Sequence, residues 1–343
     1  MTLLCHRINK MQYPRAVDLN SGTAMVVTDL HGNGEVYAHL RQTFIEMKKK
    51  GQADYFVLCG DMVHGYNDEE EDQSIPILLD IMRLQQHYGP GTVYMLLGNH
   101  EMPHIYSTTL AKGDREFTPR FERALARSKQ NDAIRQFLQS LPFMVRTKAG
   151  VLINHAGATP AIKSADIAEH ILTFDHDALL RLADDKILNG YPLEKLTDNR
   201  EYMAQSMYYL AISGPDDPRL THFLRGQLIA QTSNEFELLW EFLFTRNELG
   251  WSLDAYEFVL SEYLKHISTV SPYEQRVLVS GHIPVRGGYA LIGKQQLRLA
   301  SYAHANPPKS GAYLLLDCGQ PVSLAAHLIP FIRPTFDDND GAN

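Results

Sequence analysis

The stretch "LLGNHEMPHIY" (96–106) sets Asn99 and His100 side by side, directly after an apolar run. That run, "TVYMLLGN" (92–99), is short and aliphatic, and it predicts a buried strand. Polar side chains at the end of a buried strand need partners, because an unsatisfied polar group inside a protein costs free energy. The stretch therefore raises the question of which partners Asn99 and His100 have at the end of this strand.

The first half of the chain alternates short apolar runs with helical patterns. "AMVVTD" (24–29) and "DYFVLCGD" (54–61) predict two further buried strands. Residues 35–50 and 74–88 lie between the three strands and carry apolar residues at helical spacing. This alternation is typical of an α/β fold with parallel strands.

The second half combines a hairpin, a helical region and a return to strands. "PFMVRTKAGVLINHAG" (142–157) predicts a hairpin, and residues 160–276 are mostly helical in pattern. Three later runs predict strands: "RVLVSGH" (276–282), "GYALIGKQQLRLAS" (288–301) and "GAYLLLD" (311–317).

Composition narrows the class of protein. The 343 residues are 44% hydrophobic with a net charge of -8, and the scattered Lys and Arg residues leave no broad basic face, so no nucleic-acid partner is expected.

Cys5, Cys59 and Cys318 have no metal-site or disulfide spacing, which favours a reducing compartment. The N-terminus lacks a signal-peptide pattern, and no run approaches the roughly 18 apolar residues of a membrane span. We expect a cytoplasmic protein with no membrane partner.

Five predicted strand ends carry side chains of the metal-ligand type. Open α/β sheets bind ligands at the carboxyl ends of their strands, so these side chains are expected to converge. They are Asp29 with His31, Asp61, Asn99 with His100, His155, and His282.

Oxygen and imidazole donors without thiolates suit Mn, Fe, Zn or Ni, and a carboxylate between two donor sets can bridge two ions. Such a dinuclear centre can clamp a phosphate ester and lower the pKa of a bridging water, so that hydroxide attacks phosphorus. The sequence has no Gly-rich phosphate fingerprint after its first strand and no Gly-x-Ser-x-Gly elbow. These absences argue against a nicotinamide enzyme and a serine hydrolase.

Five short blocks carry a family resemblance: "DLHG" (29–32), "GDMVHG" (60–65), "GNHE" (98–101), "NHAGATP" (154–160) and "SGH" (280–282). In order, spacing and strand context they resemble the signature of calcineurin-like metallophosphoesterases, and more narrowly of the phosphoprotein phosphatase branch. Many distant relatives end in Gly-His-x-His, whereas this chain has Pro284 in place of the last histidine. That difference favours the phosphoprotein phosphatase and diadenosine tetraphosphatase side.

The resemblance implies a four-layer α/β/β/α sandwich of two mixed sheets flanked by helices. We expect one catalytic domain over residues 20–330, with a helical cap inserted at about 161–275. Residues 331–343 are expected to form a disordered tail.

The same resemblance implies roles for the strand-end residues. His100 would be the general acid that protonates the leaving group, a role that contributes about 10²–10⁴-fold in rate when the histidine pKa is near its ordinary value. Manganese is the first expectation for the two ions, with iron or zinc as alternatives. Asp29 and His31 would bind the first metal, Asp61 would bridge, and Asn99, His155 and His282 would complete the second site.

The second block departs from the family pattern Gly-Asp-x-x-Asp-Arg-Gly. This chain has His64, Gly65 and Tyr66 where the family keeps an Asp that orients the catalytic histidine, an Arg that grips phosphate, and a Gly. The orienting role can pass to His64 or to Glu101. His64 is also a candidate for substrate binding.

The phosphate-gripping role needs another arginine, because a guanidinium matches phosphate oxygens in two-point contacts. "ELLWEFLFTRNELG" (237–250) resembles a family segment in which a Leu-Trp pair precedes a substrate-contacting Arg, which makes Arg246 the first candidate. Arg115 and Arg120 are weaker candidates.

Three functions stay open. The first is a phosphomonoesterase acting on Ser/Thr or Tyr phosphoprotein, which the closing blocks favour. The second is a hydrolase of dinucleoside polyphosphates or of another small phosphorylated metabolite. The third is a metal-binding regulatory protein that has lost turnover, which only the missing Asp-Arg pair suggests.

Overall fold

The computed structural model describes residues 13–65, 72–112, 115–192, 204, 207–208, 210, 212–214, 217 and 219–336. Tyr66, much of the predicted cap between 193 and 218, and the last residues of the predicted tail, 337–343, lie outside the described residues.

The described part of the chain contains strands and helices in the predicted α/β order. The strands are β1 Ala16–Leu19, β2 Thr23–Val27, β3 Tyr55–Leu58, β4 Val93–Met95, β5 Ala111–Lys112, β6 Arg115–Glu116, β7 Met144–Thr147, β8 Val151–Asn154, β9 Val277–Ser280, β10 Val285–Arg286, β11 Tyr289–Ile292, β12 Gln296–Leu299, β13 Ala305–Asn306, β14 Ala312–Asp317 and β15 Ile332–Pro334. The helices are α1 Gly34–Lys49, α2 Ser74–Tyr88, α3 Pro103–Tyr106, α4 Thr118–Arg127, α5 Asn131–Ser140, α6 Ala165–Leu172, α7 His176–Leu188, α8 Arg219–Thr232, α9 Asn234–Phe244, α10 Asn247–Gly250 and α11 Leu253–Thr269.

Two mixed sheets form the centre of the fold. One sheet has the order β1-β7-β8-β9-β12-β11, in which β8, β9 and β12 run parallel. The other has the order β15-β14-β2-β3-β4, in which β2, β3 and β4 run parallel. The predicted fold class, two mixed sheets flanked by helices, is confirmed.

The alternation of side chains along each strand produces the layers. In β2, Ala24 and Val26 point into a buried cluster that joins the two sheets, whereas Met25 and Val27 point into the larger cluster that contains the helices. Every strand buried on both faces therefore reads as a continuous apolar run, which is why the runs were visible in the sequence.

Two edge strands extend the fold beyond the predicted domain limits. Residues 16–19 form β1, which pairs in parallel with β7, so the ordered domain begins before residue 20. Residues 332–334 form β15 against β14, and Thr335 donates to the Ser301 carbonyl at 2.8 Å. The predicted disordered tail is therefore wrong for residues 331–336. Short edge strands, one of them with a proline, carry too little apolar pattern to be recognised.

The helical region packs on the sheets through a shared core. Leu260, Leu264 and Ile267 of α11 belong to the same buried cluster as Leu152 of β8 and Leu278 of β9. This contact supports one domain with a helical elaboration, which we retain as a proposal. Among the described residues, the helices lack the combination of length and apolar character that a bilayer span requires.

Candidate metal centre

Strands of both sheets end at one edge and bring the predicted ligands together. The register of β8 against β9 aligns Asn154 with Ser280, and the next residue, His155, accepts a backbone hydrogen bond from Gly281 at 3.0 Å. His282 follows at once, so the two predicted histidine ligands lie side by side. The strands β2, β3 and β4 end at the same edge and supply the remaining predicted ligands.

The backbone at this edge is held in a conformation that residues with a Cβ seldom adopt. Left-handed backbone conformations in non-glycine residues cost on the order of 1–3 kcal/mol each and cluster at functional sites. Five polar residues of the blocks have such φ values: Asp29 at 41°, His31 at 45°, Asp61 at 55°, His64 at 68° and His282 at 70°.

Asp61 lies at the centre of the cluster. Its Oδ2 is 3.7 Å from His31 Nε2, 3.4 Å from His155 Nε2 and 4.0 Å from His100 Nε2. Its Oδ1 accepts the backbone N–H of His100 at 2.9 Å. Oδ2 is buried and accepts no hydrogen bond within the described residues. A buried carboxylate oxygen that faces imidazole nitrogens in this way is suited to bind cations.

Asn99, His155 and His282 form a second donor set. The Asn99 Oδ1 is 2.8 Å from His155 Nε2 and 2.9 Å from His282 Nδ1. His155 Nδ1 donates to the Cys59 carbonyl at 2.9 Å, so in the neutral imidazole a lone pair on Nε2 faces the amide oxygen. Two facing lone pairs require a cation between them, either a proton or a metal ion. Burial lowers the pKa of His155, but Asp61, Asp29 and the Cys59 carbonyl together outweigh burial and raise this pKa to about 9.

A further histidine, His304, belongs to the cluster and was missed from the sequence. Its Nδ1 is 3.2 Å from Asp29 Oδ1, while both oxygens of Asp29 accept the His282 backbone N–H, at 2.9 and 3.0 Å. Burial alone would raise the pKa of Asp29, yet His304, His155 and His31 together outweigh burial and lower this pKa to about 2. The available signal was that His304 follows a strand, β12, which runs parallel to β9 and so ends at the same edge.

The donor sets overlap in a way that fits two ions. The described residues contain three groups able to hold a metal: Asp29, His31 and His304; His31, Asp61 and His100; and Asp61, His155 and His282. The first and second groups share His31, and the second and third share Asp61. The structure thus brings all the sequence-predicted ligands to one edge, Asn99 included. The individual ligand roles remain predictions.

Glu101 does not orient His100, although its position in the sequence left that role open. Its buried carboxylate accepts the backbone N–H groups of Asp61 at 2.9 Å and Met62 at 2.8 Å, and also that of Gly98 at 3.1 Å. Burial, reinforced by Asp61, raises the pKa of Glu101 to about 7. Glycine is needed at position 98, because a Cβ there would overlap the Asp61 side chain. Glu101 therefore fixes the backbone conformation of the second and third sequence blocks.

His64 lies behind His100. Its Nδ1 is 2.9 Å from His100 Nδ1, and its Nε2 is 2.7 Å from His104 Nε2. The side chain is buried and both ring nitrogens are engaged, so the geometry supports the orienting role rather than substrate contact. Burial, followed by the neighbouring His64, lowers the pKa of His100 well below the ordinary value assumed from the sequence.

Arg246 lies at the rim of the site on an anchored segment. The residue is exposed. Its charge contributes to the lowered pKa of His282, after the larger effects of burial, His155, Arg298 and His304. The short helix α10, which follows Arg246, is anchored by Glu248, which forms a buried ion pair with Arg298. Arg298 also donates to the carbonyls of Ala156 and Gly281, in the fourth and fifth blocks.

A second arginine occupies the neighbourhood of the missing family arginine. The Arg120 Nη2 lies 3.2 Å from the point where a Cβ on Gly65 would be, and its Nε is 3.2 Å from Asp72 Oδ2. Arg120 reaches this position from α4. Arg115 lies in β6, and its side chain is outside the described residues.

The sequence model of the calcineurin-like phosphoesterases matches residues 22–204, more than half of the chain. The chain belongs to this family. The family recognition from the short blocks is therefore confirmed, and with it a hydrolase acting on phosphoesters. His282 and His304 lie beyond the matched residues.

Solved structures similar to this chain include protein phosphatases. A cold-active protein tyrosine phosphatase is 17% identical, with 90% of this chain and 77% of that chain covered and a TM-score of 0.48. A cold-active protein-tyrosine phosphatase of a psychrophilic Shewanella species is 18% identical, with coverages of 90% and 79% and a TM-score of 0.43. A Saccharomyces cerevisiae protein serine/threonine phosphatase with similarity to human PP5 is 14% identical, with coverages of 91% and 79% and a TM-score of 0.47. No curated protein sequence matches this chain.

Replacement of the shared carboxylate tests the metal centre. Asp61→Asn should lower both bound metal and activity, because an amide oxygen carries no charge and bridges two cations poorly. Metal content of the purified variant, measured by mass spectrometry, checks this expectation. Asp254→Asn, an exposed change in the first turn of α11, is the matched control. Two ions per chain with near-normal turnover in Asp61→Asn would refute the bridging role.

Replacement of His100 separates proton donation from metal binding. His100→Asn should keep its metal content, yet hydrolyse an alkyl phosphate about 10²-fold or more slowly, because a poor leaving group needs a proton. p-Nitrophenyl phosphate should be affected less, because its leaving group is stable as an anion. Steady-state kinetics on both esters measures the difference, and equal losses on the two would contradict the general-acid role.

Proposed function

We propose that this protein is a metal-dependent phosphatase that hydrolyses phosphate monoesters. The observation that carries the proposal is the overlap of two donor sets at Asp61, with His100 Nε2 4.0 Å from the shared carboxylate oxygen. One set would comprise Asp29, His31 and Asp61, joined by His304. The other would comprise Asp61, Asn99, His155 and His282.

Two bound ions would supply an activated water and offset the negative charge of the phosphate. Manganese is our first choice for these ions, with iron or zinc as alternatives, since the donors are oxygens and imidazoles. His100 would hold a proton on Nε2, beside the bound phosphate, and release it to the leaving oxygen. The dianion of a bound phosphate would favour the protonated imidazole, which burial alone disfavours.

Arginine side chains from two directions would hold the phosphate oxygens. Arg246 extends from a segment fixed by Thr245, whose hydroxyl donates to the Ala158 carbonyl at 3.3 Å. Arg120 lies beside Gly65, where the family sequence places its own arginine. An arginine fixed at a rim can contact two phosphate oxygens at once, which orients the ester for attack.

Among substrates we favour a Ser/Thr or Tyr phosphoprotein. Exposed apolar side chains follow Arg246 directly: Leu249, Trp251 and Leu253 are 61%, 40% and 53% exposed. An apolar surface beside a phosphate site supports a peptide partner. We also propose a cytoplasmic location, which is supported by the free thiols of Cys59 and Cys318.

Two alternatives are kept. A dinucleoside polyphosphate or small-metabolite hydrolase would need aromatic residues for the bases, and Tyr208 is 63% exposed in the helical region. A regulatory protein without turnover was suggested by the missing Asp-Arg pair. That suggestion is weakened, since His64 and Arg120 lie where those two side chains would be expected.

Arg246→Ala should raise KM for phosphorylated substrates several-fold while the melting temperature stays unchanged, because the exposed guanidinium contributes to binding and not to packing. Kinetics on a phosphopeptide together with a thermal melt provides the measurement. Arg181→Ala, which removes an exposed arginine of α7, serves as control. A lowered melting temperature with an unchanged KM would make Arg246 a structural residue.

A hydrolysis panel with Mn²⁺ tests the substrate class. We expect kcat/KM for a phosphopeptide to exceed that for p-nitrophenyl phosphate despite the poorer leaving group, because contacts away from the phosphate help to orient it. Diadenosine tetraphosphate completes the panel. If diadenosine tetraphosphate is hydrolysed faster than the phosphopeptide, the substrate is a dinucleoside polyphosphate and not a phosphoprotein. If no ester is hydrolysed, the regulatory alternative is the one that remains.

A further inference from the structure

A row of three buried histidines leads from the metal centre to a carboxylate in α4. His100 Nδ1 is 2.9 Å from His64 Nδ1, and His64 Nε2 is 2.7 Å from His104 Nε2. His104 Nδ1 is in turn 2.6 Å from Glu122 Oε1. The other carboxylate oxygen, Oε2, accepts from Arg135 Nη2 at 2.8 Å.

The carboxylate fixes the tautomer of each histidine in the row. Because ionised Glu122 only accepts, His104 must carry its proton on Nδ1, which leaves Nε2 as an acceptor. His64 must then donate from Nε2 and accept on Nδ1. His100 consequently donates from Nδ1, and its Nε2 stays turned toward the metal centre. One charged group thus sets the direction of all three contacts.

The surroundings keep the row in place. The His64 ring stacks on Phe117 at 5.6 Å between centroids, and the His104 ring lies 4.1 Å from that of Phe121. Arg135 fixes the far end, since its Nη1 also donates to the His104 carbonyl at 2.8 Å. A cavity of about 290 Å³ lies beyond the row, and Glu122 and Arg135 are among its lining residues.

We propose that Glu122, acting through His104 and His64, is the positioning residue that orients the general acid His100. The proposal rests on the proposed phosphatase function. In the family pattern an aspartate stands beside the catalytic histidine, whereas here the carboxylate acts across two imidazoles. After His100 gives its Nε2 proton to the leaving oxygen, the neutral ring keeps the Nδ1 proton that this row requires.

Glu122→Gln tests the role while it preserves the shape of the side chain. We expect kcat for an alkyl phosphate to fall by at least about tenfold, with KM and metal content unchanged and p-nitrophenyl phosphate less affected. Glu122→Asp should restore part of the lost rate. Asp132→Asn, which neutralises an exposed carboxylate lining the same cavity, should have no effect. An equal loss on both esters, or a changed KM alone, would overturn the proposal.

Nitrogen-15 NMR of the histidine-labelled protein provides a test that does not depend on turnover. Ring-nitrogen shifts should show His104 protonated on Nδ1 and His64 on Nε2, and Glu122→Gln should change this pattern. The opposite tautomers in the wild type would overturn the positioning role whatever the activity. If the tautomers are as expected but no phosphate ester is hydrolysed, the hydrogen-bonded row stands as described, while the phosphatase function and the positioning role of Glu122 both fail.

Discussion

A buried carboxylate, Glu101, holds the turns on which the site depends. It accepts backbone N–H groups of Asp61 and Met62 from the turn after β3 and of Gly98 from the turn after β4. Backbone groups at such turns have no strand partner, so a carboxylate that accepts several of them fixes the path of the chain. This interaction offsets the left-handed conformation of Asp61 and lets its side chain face the histidines.

The buried ion pair of Arg298 and Glu248 fixes the path of the chain at the strand ends of the other sheet. Arg298 donates to the carbonyl of Ala156, which follows His155, and to that of Gly281, which precedes His282. Its partner Glu248 anchors the segment that carries Arg246. A buried ion pair contributes little net stability, because desolvation of both charges opposes their attraction. Its effect here is geometric, because it ties the segment that carries Arg246 to the strand ends.

Much of the fold and site could be predicted because the relevant information is local. Buried strands appear as apolar runs, and each predicted ligand follows its strand by one to a few residues, as Asp29 follows β2 and His155 follows β8. Information spread over distant segments could not be predicted. His304 depends on the direction of β12, and Glu122 on how α4 packs against the turn that carries His64. The edge strand β15 is defined by pairing and has hardly any apolar pattern of its own.

The distance along the chain between Asp29 and His304 has a consequence for synthesis. These side chains meet only after β12 has joined the sheet that begins with β1, so most of the described chain must leave the ribosome before the complete donor set exists. A growing chain offers the first block without its later partners and would hold a metal ion weakly. On the proposed function, metal would therefore be loaded once these segments have folded together, and the ion available at that moment would decide which metal the protein carries.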